Sequence, residues 1–566
     1  MIKTVLIPAS LLAFFAFKNV ACVTTVSPSR GEVWPKPQQQ SKSDQVLQIS
    51  TSFQMIVAGD YCEILEKSVQ RHMDIIMGGM SYRYRQSEKA EQFYSDSVLK
   101  TLTIDVGAGC TDAYPTSEMD ESYDLDVSSG TSTLISSEVW GALRGIETFT
   151  QLMYKDVSTS MRVMNKTSIH DYPRFNFRGF LIDSSRHFLS LENIKLHIDA
   201  MEATKYNVLH WHIVDDPSFP FQSKVYPDLA RDGAFNAYTH IYTYNDVIEV
   251  LEYSRLRGVR VVPEFDTPGH TLSWGAGYPQ LLSQCIDDSG TTTYSGPLDP
   301  RIQTTYDFVQ ALFTEINSLF LDETLFLGGD EVAYDCWESN PIYQEFIDQY
   351  NLTDYAGLES FYIEKLLEIV QNLPLKRQAV VWQEVFDNGL NISKSTVVNV
   401  WKSGGYQDEL SSVTAQGFDV ILSAPWYLNY ISYGQDWKNY YQVEPMDFSG
   451  TETQKDHFVG CEACMWGEYV DDTNFLATTW PRAATVAERA WSNKNTTDIN
   501  DAQSRLDELR CRLINRGVPA EPIAPGFCEQ EWNVKGMKKE HEEKRSRGLK
   551  FFHDHKIKMK TLRLIH

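Results

Sequence analysis

Past its first two dozen residues, the 566-residue chain has no run long and apolar enough to cross a bilayer, so no membrane span is expected. It is also short of positive charge. Its 51 Lys/Arg stand against 76 Asp/Glu, a net −25, which argues against a nucleic-acid partner. The shortage is uneven: residues 535–566 hold eleven Lys/Arg and four Asp/Glu, a balance of +7, leaving the remainder at −32. Cysteine is sparse, nine in all, and only Cys461 and Cys464 stand in a CxxC spacing. With no second CxxC and no ligating histidines beside them, those two read as core thiols rather than a zinc or redox site. Residues from about 23 to 172 show no cluster of acids or histidines, so their expected role is structural. A composition 42% hydrophobic and 22% charged is that of a globular protein able to bury a large core.

At the N-terminus, Lys3 precedes an apolar run from Thr4 to Phe17 and then small residues near Ala21. That order is the pattern of a secretory signal peptide over residues 1–22. The expected route is the secretory pathway, ending in lysosomes or outside the cell. Asn165, Asn351, Asn391 and Asn495 each open an Asn-X-Ser/Thr sequon, which suits that route. An oxidising compartment permits disulfides. Neighbours in sequence suggest Cys62 with Cys110, Cys285 with Cys336 and Cys511 with Cys528, although spacing alone does not fix connectivity.

The rhythm of the chain divides it. Residues 23–172 read as an α+β unit, with a strand-like run at 99–107 and a helix-like segment at 138–154. Residues 173–528 read as a (β/α)8 barrel. Eight short apolar runs recur, at 177–185, 207–215, 259–266, 325–331, 378–385, 396–402, 419–425 and 459–468. Continuous apolar strands suit a parallel sheet covered on both faces. Segments with apolar residues at helical spacing lie between them, as at 191–207 and 245–258. Residues 529–566 read as a basic C-terminal tail, a disordered and solvated extension.

In such barrels the active site gathers at the C-terminal strand ends. Here those ends carry Asp183, Arg186, Asp215, Asp216, Glu264, Asp266, Asp330, Glu331, Glu384 and Glu468. Interleaved with them are Trp382, Trp401, Trp426, Tyr427 and Trp466. Indole faces stack against the C–H faces of a pyranose, and acids bind its hydroxyls. Gly328 and Gly329 free the backbone ahead of the acid pair Asp330 and Glu331, whose side chains are expected to diverge as strand neighbours do. Glycoside hydrolysis commonly needs a carboxylic acid as proton donor, and Glu331 has the longer reach. His210 and His212 face one side of the second strand and read as packed barrel residues, with no third ligand at matching spacing.

Six ordered stretches carry a resemblance: RGFLIDSSRHF (178–188), VLHWHIVDDPSFPFQS (208–223), VVPEFDTPGHTLSWG (261–275), LGGDEV (327–332), PWYLN (425–429) and MWGEYVD (465–471). They resemble the β-N-acetylhexosaminidases of glycoside hydrolase family 20, above all the animal lysosomal type. The likeness runs to about Cys528 and does not extend to the tail. It implies an exo-acting enzyme that removes terminal β-linked GlcNAc or GalNAc with retention. The nucleophile would be the substrate's own acetamido oxygen, through an oxazolinium ion, an exception to the two-carboxylate scheme.

By the same likeness Glu331 is the acid and then the base, Asp330 holds the acetamido N–H, and Tyr427 binds the acetamido oxygen. Arg178, supported by Asp215, binds sugar hydroxyls, as does Glu468. Trp382, Trp401 and Trp466 line the pocket, and His270 tunes the acid. In the mammalian α-type chain an asparagine–arginine pair after the tyrosine suits charged sugars. Here Asn429 is followed by Tyr430, so neutral sugars are expected. No metal or organic cofactor is implied, and related enzymes dimerise, so a homodimer is expected. Two other readings stay open: a retaining glycosidase with Glu468 as nucleophile, and a barrel that binds glycans without catalysis.

Overall fold

The computed structural model describes residues 30–78, 97–156, 161–390, 392–430, 432 and 434–528. The expected signal peptide, the basic tail and the sequon at Asn391 lie outside the described residues.

The first unit is a six-stranded sheet. Its strands are β1 (Gln39–Ala58), β2 (Val98–Val106), β3 (Tyr123–Val127), β4 (Gly130–Ser136), β5 (Tyr154–Lys155) and β6 (Arg162–Asp171), in the order β1-β2-β4-β3-β6-β5. The helix Val139–Gln151 is buried along its whole length. A helix with no solvent face needs cover all round. The sheet core supplies one side through Leu125, Leu134 and Ile169. The barrel supplies the other, where Arg144 donates to the backbone oxygens of Arg257 and Gly258, and Gln151 to that of Ala203.

The second unit closes β7 (Phe177–Asp183), β8 (Val208–Val214), β9 (Arg260–Phe265), β12 (Thr324–Phe326), β13 (Gln378–Trp382), β14 (Val397–Val400), β15 (Asp419–Leu422) and β16 (Phe458–Met465) into one parallel barrel. These are the eight apolar runs. The hairpin of β10 (Leu282–Ile286) and β11 (Thr292–Leu298) is inserted after β9. Helices alternate with the strands, and some begin on capping side chains. Ser190 accepts from the Asn193 N–H before Leu191–Thr204, and Thr243 forms a capping box with Asp246 before Tyr244–Arg255.

The barrel interior is layered. At the bottom Phe177, Val208, Val262, Phe326, Val380, Val397 and Ile421 form an apolar plug. Above it lies a charged layer. His210 stands 3.0 Å from both Glu264 and Glu462, and His212 lies 2.6 Å from Glu264. Burial opposes charge on His210, but Glu462 and Glu264 outweigh it and raise its pKa to about 9. His212 is raised to about 10 by the same contest, Glu264 and Asp215 against burial. Cys461 and Cys464 are buried free thiols. The bonds Cys62–Cys110, Cys285–Cys336 and Cys511–Cys528 pair as sequence neighbours suggest.

Of the sequons, Asn351 ends a helix and is exposed, and Asn495 is exposed in a turn. Asn165 is half-buried. It sits within β6, its Nδ2 donates to Ser43 O, and its Oδ1 accepts from Tyr154.

The two units are joined by a buried ion cluster. Glu121 accepts from Arg144 Nε at 2.7 Å and from Arg178 Nη2 at 2.7 and 2.6 Å. Burial would raise the Glu121 carboxyl, but the two guanidiniums hold it below its ordinary range. Glu121→Ala leaves two buried cations unpaired, so urea denaturation should show a loss of about 3–5 kcal/mol. An unchanged midpoint would show that solvent replaces the carboxylate freely.

Candidate active site

The pocket is assembled from the loops that leave the strands. Asp183 ends β7, and Asp215, Asp266, Trp401 and Trp466 each stand one residue past a strand. Strand β12 is short and stops at Phe326, before the acid pair. Gly328 (φ 75°), Gly329 (φ 91°) and Glu331 (φ 51°) all take left-handed backbone. Asp266 lies under this turn. A Cβ on Gly328 would fall 1.6 Å from Asp266 Oδ1, and the Gly329 N–H donates to that same oxygen at 2.8 Å. Asp330 and Glu331 therefore part company through a strained turn, not through strand alternation as the sequence suggested.

The Asp330 side chain is 11% exposed and that of Glu331 60% exposed. His270 reaches between them, its Nε2 3.8 Å from Asp330 Oδ2 and 3.9 Å from Glu331 Oε2. Its Nδ1 bonds Asp215 Oδ1 at 3.2 Å. Asp215 is further held by His212 at 2.9 Å and Arg186 at 2.7 Å. Burial alone would raise the Asp215 carboxyl, yet His212 and His270 keep it far below the carboxylate range. Arg186 forks to Asp183 at 2.9 Å as well, and its guanidinium lies 5.1 Å over the Trp466 ring.

Aromatic rings wall the hollow. Trp401 and Tyr427 stack at 6.0 Å and 24°, and Tyr427 and Tyr430 at 6.0 Å and 20°. Trp401 is fixed by its indole N–H on Glu384 Oε2 at 2.8 Å. Burial and nearby acidic groups raise the Tyr427 phenol well above its ordinary range, so it stays a hydrogen-bond donor. Its backbone is braced on β16, where the Leu428 N–H donates to Cys464 O at 2.8 Å.

A hollow is lined by Asp330, Glu331, Tyr427, Asp215, His270, Trp401, Asn429, Trp466 and Glu468, nine of the eleven expected site residues, joined by Arg186, His212, Asp266 and Tyr430. Trp382 lies beneath it, 1% exposed, 6.1 Å from the Trp466 ring and bonded to Glu264 at 2.8 Å. Trp426 turns away into the core.

Arg178 is corrected. It is the second residue of β7, at the opposite end of the barrel, fully buried against Glu121 and the backbone oxygens of Lys205 and Phe175. The arginine in the hollow is Arg186, three residues past the strand end. The quoted stretch holds both arginines. Strand polarity separates them, because only residues at or beyond the C-terminal end can reach the rim.

The family profile described as "Glycosyl hydrolase family 20, catalytic domain" matches residues 175–494, and "beta-acetyl hexosaminidase like" matches residues 33–152. The chain is 49% identical over 475 residues to "Beta-hexosaminidase subunit beta" of Homo sapiens, covering 84% of each chain. It is 45% identical over 522 residues to "Beta-hexosaminidase subunit alpha" of Rattus norvegicus, covering 91% of this chain and 97% of that one. Among solved structures, the Flavobacterium johnsoniae chitobiase superposes with a TM-score of 0.75 at 28% identity, covering 86% of this chain and 73% of that one. The profile spans more than half of the chain at the barrel that holds this pocket: the chain belongs to glycosyl hydrolase family 20.

Proposed function

We propose that this pocket takes one terminal β-linked GlcNAc or GalNAc and cleaves it by retaining, substrate-assisted hydrolysis. The activity is that of a glycoside hydrolase of the β-N-acetylhexosaminidase type. The observation that supports the mechanism is the division of labour in the acid pair. Glu331 stands open to the hollow, while Asp330 is tucked in beside His270 with Tyr427 on the same hollow.

In the first step the acetamido oxygen bonds to the anomeric carbon as the glycosidic C–O bond breaks. Glu331 gives its proton to the leaving oxygen. The positive charge that develops on the acetamido group is met by the Asp330 carboxylate, which accepts its N–H, and the Tyr427 hydroxyl donates to its oxygen. In the second step Glu331, now a carboxylate, takes a proton from water as that water attacks the anomeric carbon and reopens the ring. Two inversions leave the configuration retained. Arg186 takes the hydroxyl-binding part first given to Arg178, with Asp215 behind it, and Glu468 binds hydroxyls on the same rim. Proton NMR of the first-formed sugar tests this: the β-anomer should appear before mutarotation, and an initial α-anomer would contradict it.

Neutral sugars are the inferred substrates. Among the described residues lining the hollow, Arg186 is the one cation other than histidine, and it is committed to Asp183 and Asp215. Tyr430 is 70% exposed and offers no charge. We expect 6-sulfo-GlcNAc to be cleaved more slowly than GlcNAc, and Tyr430→Arg to improve its kcat/KM about tenfold. A wild-type preference for the sulfated sugar would refute this.

Among the described residues no helix is long and apolar enough to cross a membrane. A lysosomal or secreted location and a homodimer complete the proposal. The curated relatives are named as subunits, and sedimentation of the purified chain reads the oligomer directly.

A further inference from the structure

We propose that Asp266 is a protonated positioning residue: its carboxyl group holds the turn at Gly328 and Gly329 from below and donates a hydrogen bond to Asp330, aiming that carboxylate at the substrate's acetamido N–H. The proposal rests on the substrate-assisted reading and assigns a part to a carboxyl group that the reading does not use.

The geometry carries it. Asp266 is 1% exposed. One oxygen, Oδ1, takes the Gly329 N–H and fills the space a Gly328 side chain would need. The other, Oδ2, receives a hydrogen from no donor among the described residues, and neither does Asp330 Oδ1, although both atoms are buried. Carboxylate oxygens of Asp266 and Asp330 and a ring nitrogen of His270 lie within 4.8 Å of one another. His270 Nε2 stays 3.9 Å from Asp266 and 3.8 Å from Asp330, too far to bond either, while its Nδ1 is engaged by Asp215.

The surroundings add mostly negative charge. Glu264 comes from β9 and Glu331 from the same turn as Asp330, with His270 the opposing cation, and the neutral Tyr362 hydroxyl faces Asp266 from the helix Tyr355–Gln371. Two buried carboxyl groups this close do not both ionise, and one keeps a proton. Burial first, and then the charge of Asp330, raise the Asp266 carboxyl well above its ordinary range, so the proton stays on Asp266. A neutral Asp266 leaves a single negative charge facing the oxazolinium and gives it direction. An ionised Asp266 would push Asp330 away and leave a buried acceptor unsatisfied.

The proposal makes asparagine a substitute and alanine a lesion. In Asp266→Asn the amide oxygen can keep the Gly329 N–H and the amide nitrogen can donate to Asp330, so kcat/KM on a chromogenic β-N-acetylglucosaminide should stay within about threefold of wild type. Asp266→Ala removes both contacts and should lower kcat about 10²-fold with KM changed much less. Thermal unfolding of each variant monitors the fold. Infrared spectroscopy reads the proton without turnover: wild type near pH 6 should show a protonated-carboxyl band that Asp266→Asn lacks. The proposal is overturned if Asp266→Asn is as slow as Asp266→Ala, or if the band is the same in wild type and Asp266→Asn. A wild type that is inactive on the N-acetylglucosaminide sinks the substrate-assisted reading instead, and the infrared comparison still decides where the proton sits.

Discussion

Glu331→Gln should slow release of a sugar or alkyl alcohol from β-GlcNAc by about 10²–10⁴-fold. Glutamine has the shape of glutamate and the same tolerance of the turn at φ 51°, but it has no proton to give. A dinitrophenyl leaving group departs as a stable anion and needs no such proton, so its release should be slowed far less in the first step. The contrast between the two leaving groups is the informative part. Equal losses on both would say that the substitution damaged the turn or the later hydration step, and that Glu331 is not the donor. The carboxyl side chain is 60% exposed, as a group that must meet a substrate oxygen should be.

Asp330→Ala should cost about 10²–10³-fold in kcat. The carboxylate acts on charge that exists only as the oxazolinium forms, so KM should move much less than kcat. The loss should also be tied to the acetamido group. On a substrate whose acetamido is replaced by hydroxyl, wild type and variant should be equally poor, because Asp330 then has nothing to hold. An equal fold-loss on both substrates would show that Asp330 serves the scissile bond itself, and the assignment of the two acids would have to be exchanged. Asparagine is a less clean test than alanine here, because its amide could still accept from the acetamido N–H through its oxygen.

The barrel was legible because parallel strands covered on both faces are written as uninterrupted apolar runs. All eight runs became strands. The rim was legible for a related reason: polar residues that follow an apolar strand have only the mouth of the barrel to occupy. Three things were not legible. Arg178 lies at the start of β7 and Arg186 just past its end, and the first residues of a strand face the bottom of the barrel, where Glu121 of the other unit waits. The turn at Gly328–Glu331 breaks the alternation that a longer strand would impose, and its cause is Asp266, distant in sequence. The charged layer pairs His210 with Glu264 and Glu462 across three strands, and contacts between residues so far apart leave no local pattern.

Substituting hydroxyl for the acetamido group, with the leaving group unchanged, asks most directly who supplies the nucleophile. If the sugar does, the β-glucoside should turn over about 10⁵-fold more slowly than the β-N-acetylglucosaminide, or not measurably, since the attacking atom and its proximity are lost together. Comparable turnover of the two would contradict the account and move the attack to an enzyme carboxylate, with Glu468 the first to examine.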